Sequence, residues 1–186
     1  MHNEQIIRPI RAEEAPEVKR LIYSVAHPLM EPEMTMEQLM DRWEGWGVFA
    51  DLDDIQKNYF DNGGVFLVTE ISGRIMGTGA FKQYTEGQLF TTGGRLHSND
   101  DSLRTGEGVC EVRRIALLPE CRGQKLGYAL LLDLIRRARE MGYKKMVLWT
   151  DPIKLHRAVA FYHRLGFTDI PIDGIDADEL WMELEI

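Results

Sequence analysis

Two spacings of apolar residues alternate along the chain, one with a period of two and one with a helical period. The first predicts β-strands, the second predicts amphipathic helices, and turn residues such as Ser72-Gly73 separate them. The predicted strands are 6–10, 65–71, 74–84, 112–118, 145–150 and 180–186. The predicted helices are 12–27, 36–46, 51–60, 124–141 and 155–165. The pattern and the length indicate one domain, residues 1–186, of interleaved strands and helices.

The stretch 111–132 carries the first sign of chemistry. It predicts a buried strand, a sharp turn at Pro119 and a helix entered through Arg122-Gly123-Gln124-Lys125-Leu126-Gly127. The two glycines allow the backbone to approach a ligand, and the free N–H groups at the helix start attract an anion such as a phosphate. A tight turn that binds nothing is the alternative, because short glycine motifs are common. Arg122 favours the phosphate site, since a guanidinium beside free amides suits a phosphate.

These residues resemble motif A of the GCN5-related N-acetyltransferases, the GNAT family. In that family a strand is followed by an Arg or Gln and a glycine-rich turn, which opens a helix that binds the pyrophosphate of acetyl-CoA. Arg122 takes the first position of the pattern and Gly127 the last, whereas Lys125 stands where the family has its middle glycine. We expect Lys125 to occupy a helical position, with its side chain turned away from the cofactor or towards a phosphate.

The segment 158–167 resembles motif B of the same family. Ala158, Tyr162 and the closing Gly166-Phe167 fall on recurring positions of that motif. Many members carry an asparagine that meets the pantetheine arm three residues before the alanine, and here that position is Leu155.

The resemblance implies the fold and the activity. The expected fold class is α/β (α+β), a GNAT-type acyl-CoA N-acyltransferase fold with a central, mixed, mostly antiparallel sheet flanked by helices. The expected activity is acetyl-CoA-dependent transfer of an acetyl group to the primary amine of a small molecule, directly within a ternary complex and without a metal. A non-catalytic acyl-CoA-binding or sensor domain and a protein or peptide N-acetyltransferase are the alternatives.

The resemblance also assigns residues to the cofactor. In the family the pantetheine arm lies against the central strand, and the pyrophosphate lies on the amides of the turn that follows. The assigned residues are Ile115, Ala116, Leu117, Arg122, Gly123, Gln124, Lys125, Leu126, Gly127, Tyr128 and Ala158.

Two residues are candidates for proton transfer. Tyr162, on the motif B tyrosine, is the candidate acid for the departing thiolate, and a hydroxyl that merely reaches water is the alternative. Glu111, at the start of the central strand, is the candidate base, acting directly or through a water. In a regular strand Glu111 shares a face with Arg113, Ile115 and Leu117, so an ion pair with Arg113 or with a cation on a neighbouring strand is an equal alternative.

Composition and charge narrow the partners. A hydrophobic content of 44% suffices for a full core, and the formal net charge of −8 argues against nucleic acid and suits a cationic substrate. Cys110 and Cys121 have neither metal nor disulfide spacing, and no apolar run approaches a membrane span. We expect a cytoplasmic protein with no membrane or nucleic-acid partner. A homodimer is compatible with the resemblance, although no self-complementary feature requires one.

The connection 85–108 is rich in Gly, Thr, Ser, Asn and Asp. Connections of this length are more often functional or disordered than neutral, so we expect a mobile loop near the acceptor site. His97 within it is either a base or a solvated loop histidine.

Overall fold

The computed structural model describes residues 5–85, 95–96, 101–121 and 123–186. The strands are β1 (Gln5–Pro9), β2 (Val65–Ile71), β3 (Arg74–Gln83), β4 (Arg95–Leu96), β5 (Val109–Leu117), β6 (Lys145–Thr150), β7 (Thr168–Asp169), β8 (Ile172–Asp173) and β9 (Leu180–Glu185). The α-helices are α1 (Ala15–Met30), α2 (Met36–Gly45), α3 (Ser102–Thr105), α4 (Leu126–Glu140) and α5 (His156–Arg164).

Seven of the strands in the described part of the chain form one sheet, in the order β1-β2-β3-β5-β6-β9-β7, and β4 pairs with β8. The pairs β1–β2, β2–β3, β6–β9 and β7–β9 are antiparallel, and β5 pairs with β6 in parallel over residues 109–111. This mixed, mostly antiparallel sheet with flanking helices confirms the predicted fold class.

The residues group by their internal contacts into two compact units. The first unit is Met1–Lys82 with Arg113–Arg136, and the second is Gln83–Val112 with Arg137–Ile186. The assignment of the whole chain to one domain stays a prediction.

In the first unit, α1, α2 and the sheet residues of β2 and β3 share one core. Its largest fully buried side chains are aromatic: Tyr23 packs edge-on against Phe49, and Tyr59 packs edge-on against Phe66. The apolar face of α2 belongs to this core, with Leu39 fully buried and Trp43 packed against it. The aromatic contacts add to the burial of apolar area, so this side of the sheet is firmly packed.

The start of α2 agrees with the prediction, and the end of α1 does not. The Thr35 hydroxyl accepts the N–H of Gln38 at 3.2 Å and the Gln38 side chain accepts the N–H of Thr35 at 2.9 Å, which forms a capping box at the start of α2. The prediction that α1 ends at residue 27 is wrong, because Pro28 lies inside the helix and α1 continues to Met30. A proline near a helix end removes a single hydrogen bond, and the remaining turn tolerates that loss.

The second unit has its own core around Val109, Val147 and Trp181. Its strands β6 and β9 are joined by the buried ammonium of Lys145, which binds Glu183 at 2.7 Å and Glu185 at 2.9 Å. This pairing of a buried charge with two carboxylates on the neighbouring strand fixes the register between β6 and β9.

Other element boundaries shift by a few residues. β5 begins at Val109 rather than at residue 112, and α4 begins at Leu126 rather than at residue 124. The segment predicted as one helix, 51–60, is a 3₁₀ turn at Ala50–Leu52 and a π-helical turn at Gln56–Phe60. Most of the predicted loop 85–108, including His97, lies outside the described residues.

Candidate active site

The central strand β5 is interrupted at Arg114. Its φ of 58° lies in the left-handed region, which residues other than glycine seldom adopt. A regular strand would place Glu111, Arg113, Ile115 and Leu117 on one face, and this condition does not hold at Arg114, where the positive φ interrupts the alternation of side chains. β5 has two segments that meet at this residue.

The Arg114 side chain is held on three sides within the first unit. Its Nε and Nη2 atoms donate to the two carboxylate oxygens of Asp51 at 2.9 and 2.5 Å, and Nη2 also donates to the Val48 carbonyl at 2.5 Å. The guanidinium carbon lies 4.7 Å from the centre of the Phe49 ring. Both charged side chains are largely buried, with 12% and 14% exposed for Arg114 and Asp51. A bidentate pair stacked on an aromatic ring restricts Arg114 to one geometry.

Asp51 also accepts a short hydrogen bond from the hydroxyl of Tyr59. Burial alone would raise the pKa of Asp51, but the hydrogen bonds and the charge of Arg114 outweigh burial, so the pKa lies below its usual value. The pKa of Tyr59 is raised by burial and by the Asp51 carboxylate. The three side chains thus form a network in which Asp51 is ionised and Tyr59 is neutral.

Beyond Arg114, β5 packs closely against β3 and α4 in the first unit. A methyl group added at Gly79 of β3 would lie 2.7 Å from Cδ1 of Ile115 and 3.1 and 3.2 Å from the side chains of Leu134 and Leu130. The three side chains therefore converge over Gly79. Glycine at this position of β3 leaves room for the side chains of Ile115, Leu130 and Leu134, because a larger residue would collide with them.

The turn between β5 and α4 is anchored on β3. The Leu118 N–H donates to the Met76 carbonyl at 2.9 Å, and the Cys121 thiol contacts the same carbonyl at 3.8 Å. Leu117 and Leu126 pack in one cluster with Met76 and Cys121. These contacts set where the first turn of α4 begins relative to the end of β5.

Two left-handed residues lead into α4. Gly123 has a φ of 78° with open space around its Cα, and Lys125 has a φ of 60°. The Lys125 carbonyl accepts the Ala129 N–H at 3.0 Å, so Lys125 is the N-cap residue and the helix begins at Leu126. The expectation that Lys125 lies in the helix is wrong, because the chain must turn by a left-handed residue before the helix can start. The first N–H groups of α4, from Leu126 onwards, have no acceptor within the helix.

Tyr162 lies on α5 in the second unit and is 7% exposed. Its ring packs at 5.7 and 5.8 Å from the rings of Phe161 and Phe167. Burial raises the pKa of Tyr162 to about 12. The hydroxyl is therefore protonated at neutral pH and can act as a hydrogen-bond donor.

Asp151 sets the turn that precedes α5. It is 2% exposed, and its Oδ1 accepts the N–H groups of Ile153 and Lys154, each at 2.8 Å. Its carbonyl accepts the N–H of Leu155 at 2.9 Å. Leu155 at the N-cap of α5 makes no side-chain cap, so the hydrogen bonds of Asp151 are what orders this turn.

Glu111 lies in the first segment of β5, opposite Val147 of β6, and is 4% exposed. Glu111 belongs to the second unit, as do Tyr162 and Ala158, which is the third residue of α5. The first unit holds the described residues assigned to the cofactor on β5 and at the start of α4: Ile115, Ala116, Leu117, Gly123, Gln124, Lys125, Leu126, Gly127 and Tyr128. Arg122 lies outside the described residues.

Sequence reasoning missed Arg114, Asp51 and Asp151. A signal existed for the first, because the adjacent pair Arg113-Arg114 breaks the period of two in an otherwise apolar strand. The Asp151-Pro152 pair after β6 is a turn signal. Nothing near Asp51 in the sequence points to a partner 63 residues away.

This architecture is that of solved acetyltransferases. An acetyltransferase of the GNAT family from Staphylococcus aureus Mu50 matches with a TM-score of 0.70 and 18% identity, over 98% of this chain and 99% of that one. The PaiA N-acetyltransferase from Thermoplasma acidophilum, solved in complex with coenzyme A, matches with a TM-score of 0.70 and 16% identity over the same shares. At these identities the likeness shows the fold.

Comparison of the sequence shows the family. The family model "Acetyltransferase (GNAT) family" matches residues 32–167, and the chain belongs to that family. The uncharacterized N-acetyltransferase YjgM of Escherichia coli (strain K12) is 29% identical over 120 residues, which are 64% of this chain and 60% of that protein. The matched regions span between 34% and 60% of the length of this and two further curated relatives. Among the described residues, every helix is too short or too polar to cross a membrane.

Proposed function

We propose that the chain is an acetyl-CoA-dependent N-acetyltransferase of the cytoplasm. Its acceptor is the primary amine of a small molecule, transfer is direct within a ternary complex, and the chemistry needs no metal. The formal net charge of −8 supports a cationic amine as acceptor and argues against nucleic acid as a partner.

Besides family membership, the turn between β5 and α4 supports this proposal. A strand that is broken at Arg114 leads, through a turn with left-handed residues at Gly123 and Lys125, into the free amides that start α4. Free amides at a helix start, with the positive end of the helix dipole, suit a pyrophosphate. The segment Ile115–Leu117 would then offer its backbone to the pantetheine arm and to the thioester oxygen.

The chain's own residues account for the proton movements. The amine nitrogen attacks the thioester carbonyl carbon, the carbon–sulfur bond breaks, and the thiolate departs. Glu111 would accept the proton that the amine loses, and the Tyr162 hydroxyl would give a proton to the sulfur. A backbone N–H of β5 would stabilise the negative charge on the oxygen during the attack. The pKa of about 12 keeps Tyr162 in the protonated form that this role requires.

A non-catalytic acyl-CoA-binding or sensor domain is the second candidate. Two departures from the family pattern favour it: Lys125 at a position that a left-handed turn prefers to fill with glycine, and Leu155 in place of an asparagine that meets the cofactor. Both candidates bind acyl-CoA, and only one of them releases the free thiol when an amine is added.

Amine-dependent release of free thiol from acetyl-CoA tests the proposal. The purified chain is assayed against a panel of small primary amines and, separately, against peptides with free N-termini or lysines. Turnover with a small amine is the expected result. Turnover with peptides alone would make the acceptor a protein. Binding of acetyl-CoA without release of free thiol in the presence of any acceptor would establish the non-catalytic candidate.

A further inference from the structure

The left-handed backbone conformation of Arg114 is unfavourable, so surrounding contacts must stabilise it. A residue with a side chain is disfavoured in this conformation, and such conformations persist where the surrounding contacts over-determine them. Here the contacts come from one segment, residues 48–59, that follows α2. Val48, Phe49 and Asp51 each touch the guanidinium, and Tyr59 fixes Asp51 from the other end of the segment.

The consequence for the strand is geometric. Ile115 and Leu117, which follow the break, lie over the β3 glycines, with Ile115 close to Gly79 and Leu117 close to Gly77. Ala116 packs instead in the core shared with α1 and α2. A change of the backbone conformation at residue 114 would change the sides of the strand on which side chains 115–117 lie. It would also move their backbone N–H and C=O groups.

We propose that Arg114 is a positioning residue: clamped by Asp51, Val48 and Phe49, it holds the break in β5 that directs the backbone of Ile115–Leu117 towards the acyl-CoA. This role rests on the proposed function, since the strand segment it directs is the one proposed to bind the cofactor. It also ties the segment after α2 to that strand, so that the two move together.

Three variants separate positioning from plain stability. Arg114→Ala removes the clamp and leaves a residue that disfavours the left-handed conformation. Arg114→Gly removes the clamp but leaves a residue that adopts this conformation freely. Arg8→Ala is the matched control, because Arg8 is also a largely buried arginine, paired with Glu14 and Glu70 within the first unit, and it lies on β1 away from β5.

Calorimetric titration with coenzyme A is the first readout. We expect the affinity of Arg114→Ala to fall about tenfold and that of Arg114→Gly to stay within about threefold of the wild type. Arg8→Ala should bind as the wild type does. Wild-type affinity in Arg114→Ala, or an equal loss in Arg8→Ala, would overturn the proposal.

A crystal structure of Arg114→Ala is the second readout, and it needs no cofactor. We expect residue 114 to relax to a negative φ, with displaced backbone at 115–117. A retained φ near that of the wild type would overturn the clamp whatever the titration gives. Absence of coenzyme A binding by the wild type would instead count against the proposed function, so the two failures are distinct.

Discussion

The carboxylate of Asp51 receives both Nε and Nη2 of Arg114, at 2.9 and 2.5 Å, across 63 residues of sequence. This contact connects the segment after α2 to the break in the central strand. An irregular turn at 48–59 and an irregular strand therefore stabilise each other, and each depends on the charge of the other's side chain.

The Asp51 charge gives the first prediction. Its pKa in the folded protein lies below the usual value near 3.8, because the hydrogen bonds and charge of Arg114 outweigh burial. A lowered pKa contributes stability above the unfolded value, and this contribution is lost as the pH falls through the folded value. We expect Asp51→Asn to reduce the free energy of unfolding at pH 7 by about 2 kcal/mol and to flatten its decline below pH ~4.

Denaturant unfolding at a series of pH values between neutral and acidic measures this effect. Glu120→Gln is the control, because Glu120 pairs with Arg74 at 3.2 Å on the surface, where ion pairs contribute little. An Asp51→Asn curve that parallels the wild type through the acidic range would refute the role given to the Asp51 charge.

The second prediction concerns the strain at Lys125. Left-handed backbone costs a residue with a side chain about 1 kcal/mol or more, and glycine avoids this cost while losing more entropy on folding. We expect Lys125→Gly to raise the free energy of unfolding by about 0.5 kcal/mol. Lys125→Ala keeps the strain and should give no gain. Equal gains in both variants, measured by thermal or denaturant unfolding, would mean that the lysine charge rather than the backbone matters.

The third prediction is a loss of turnover in Tyr162→Phe. If Tyr162 protonates the thiolate, removing its hydroxyl lowers kcat about a hundredfold while the affinity for acetyl-CoA changes little. Because the pKa of Tyr162 is about 12, its deprotonation adds no basic limb below about pH 10, and the shape of the pH–rate profile is unchanged. Steady-state kinetics across this range is the measurement, and wild-type kcat in the variant would remove Tyr162 from the mechanism.

Glu111→Gln gives the fourth prediction. A carboxylate base must be ionised to accept a proton, so the acidic limb of kcat/KM depends on it. We expect the variant to lower kcat/KM about a hundredfold at neutral pH and to shift or abolish that limb. An acidic limb that stays in place would assign Glu111 to a structural ion pair instead.

Local chemistry made part of this structure predictable. The capping box that starts α2 and the Ser72-Gly73 hairpin between β2 and β3 depend on neighbours in sequence, and the structure has both. The turn before α4 could be located from its glycines. The backbone conformation of this turn could not be predicted, because lysine favours a helical conformation and only the tertiary path of the chain requires a left-handed residue at 125.

The break at Arg114 was harder to foresee for a different reason. Periodicity indicates which face of a strand a residue takes only while the strand is regular. The adjacent arginines showed that the period fails, but the compensating contacts come from Val48, Phe49 and Asp51, which are distant in sequence. The conformation of β5 is thus a tertiary property that no window of the sequence contains.

The proposed function depends on acyl-CoA binding at the turn that leads into α4. Calorimetric titration with acetyl-CoA of the wild type, Gly123→Ala and Gly73→Ala tests it directly. The two glycines have φ values of 78° and 80° and open space for a methyl group, so the substitutions carry the same backbone strain, and Gly73 lies in the β2–β3 hairpin. We predict wild-type binding near micromolar (~ −8 kcal/mol), about tenfold weaker binding in Gly123→Ala and unchanged binding in Gly73→Ala. No binding by the wild type, or equal affinities in the two variants, would contradict acyl-CoA binding at this turn.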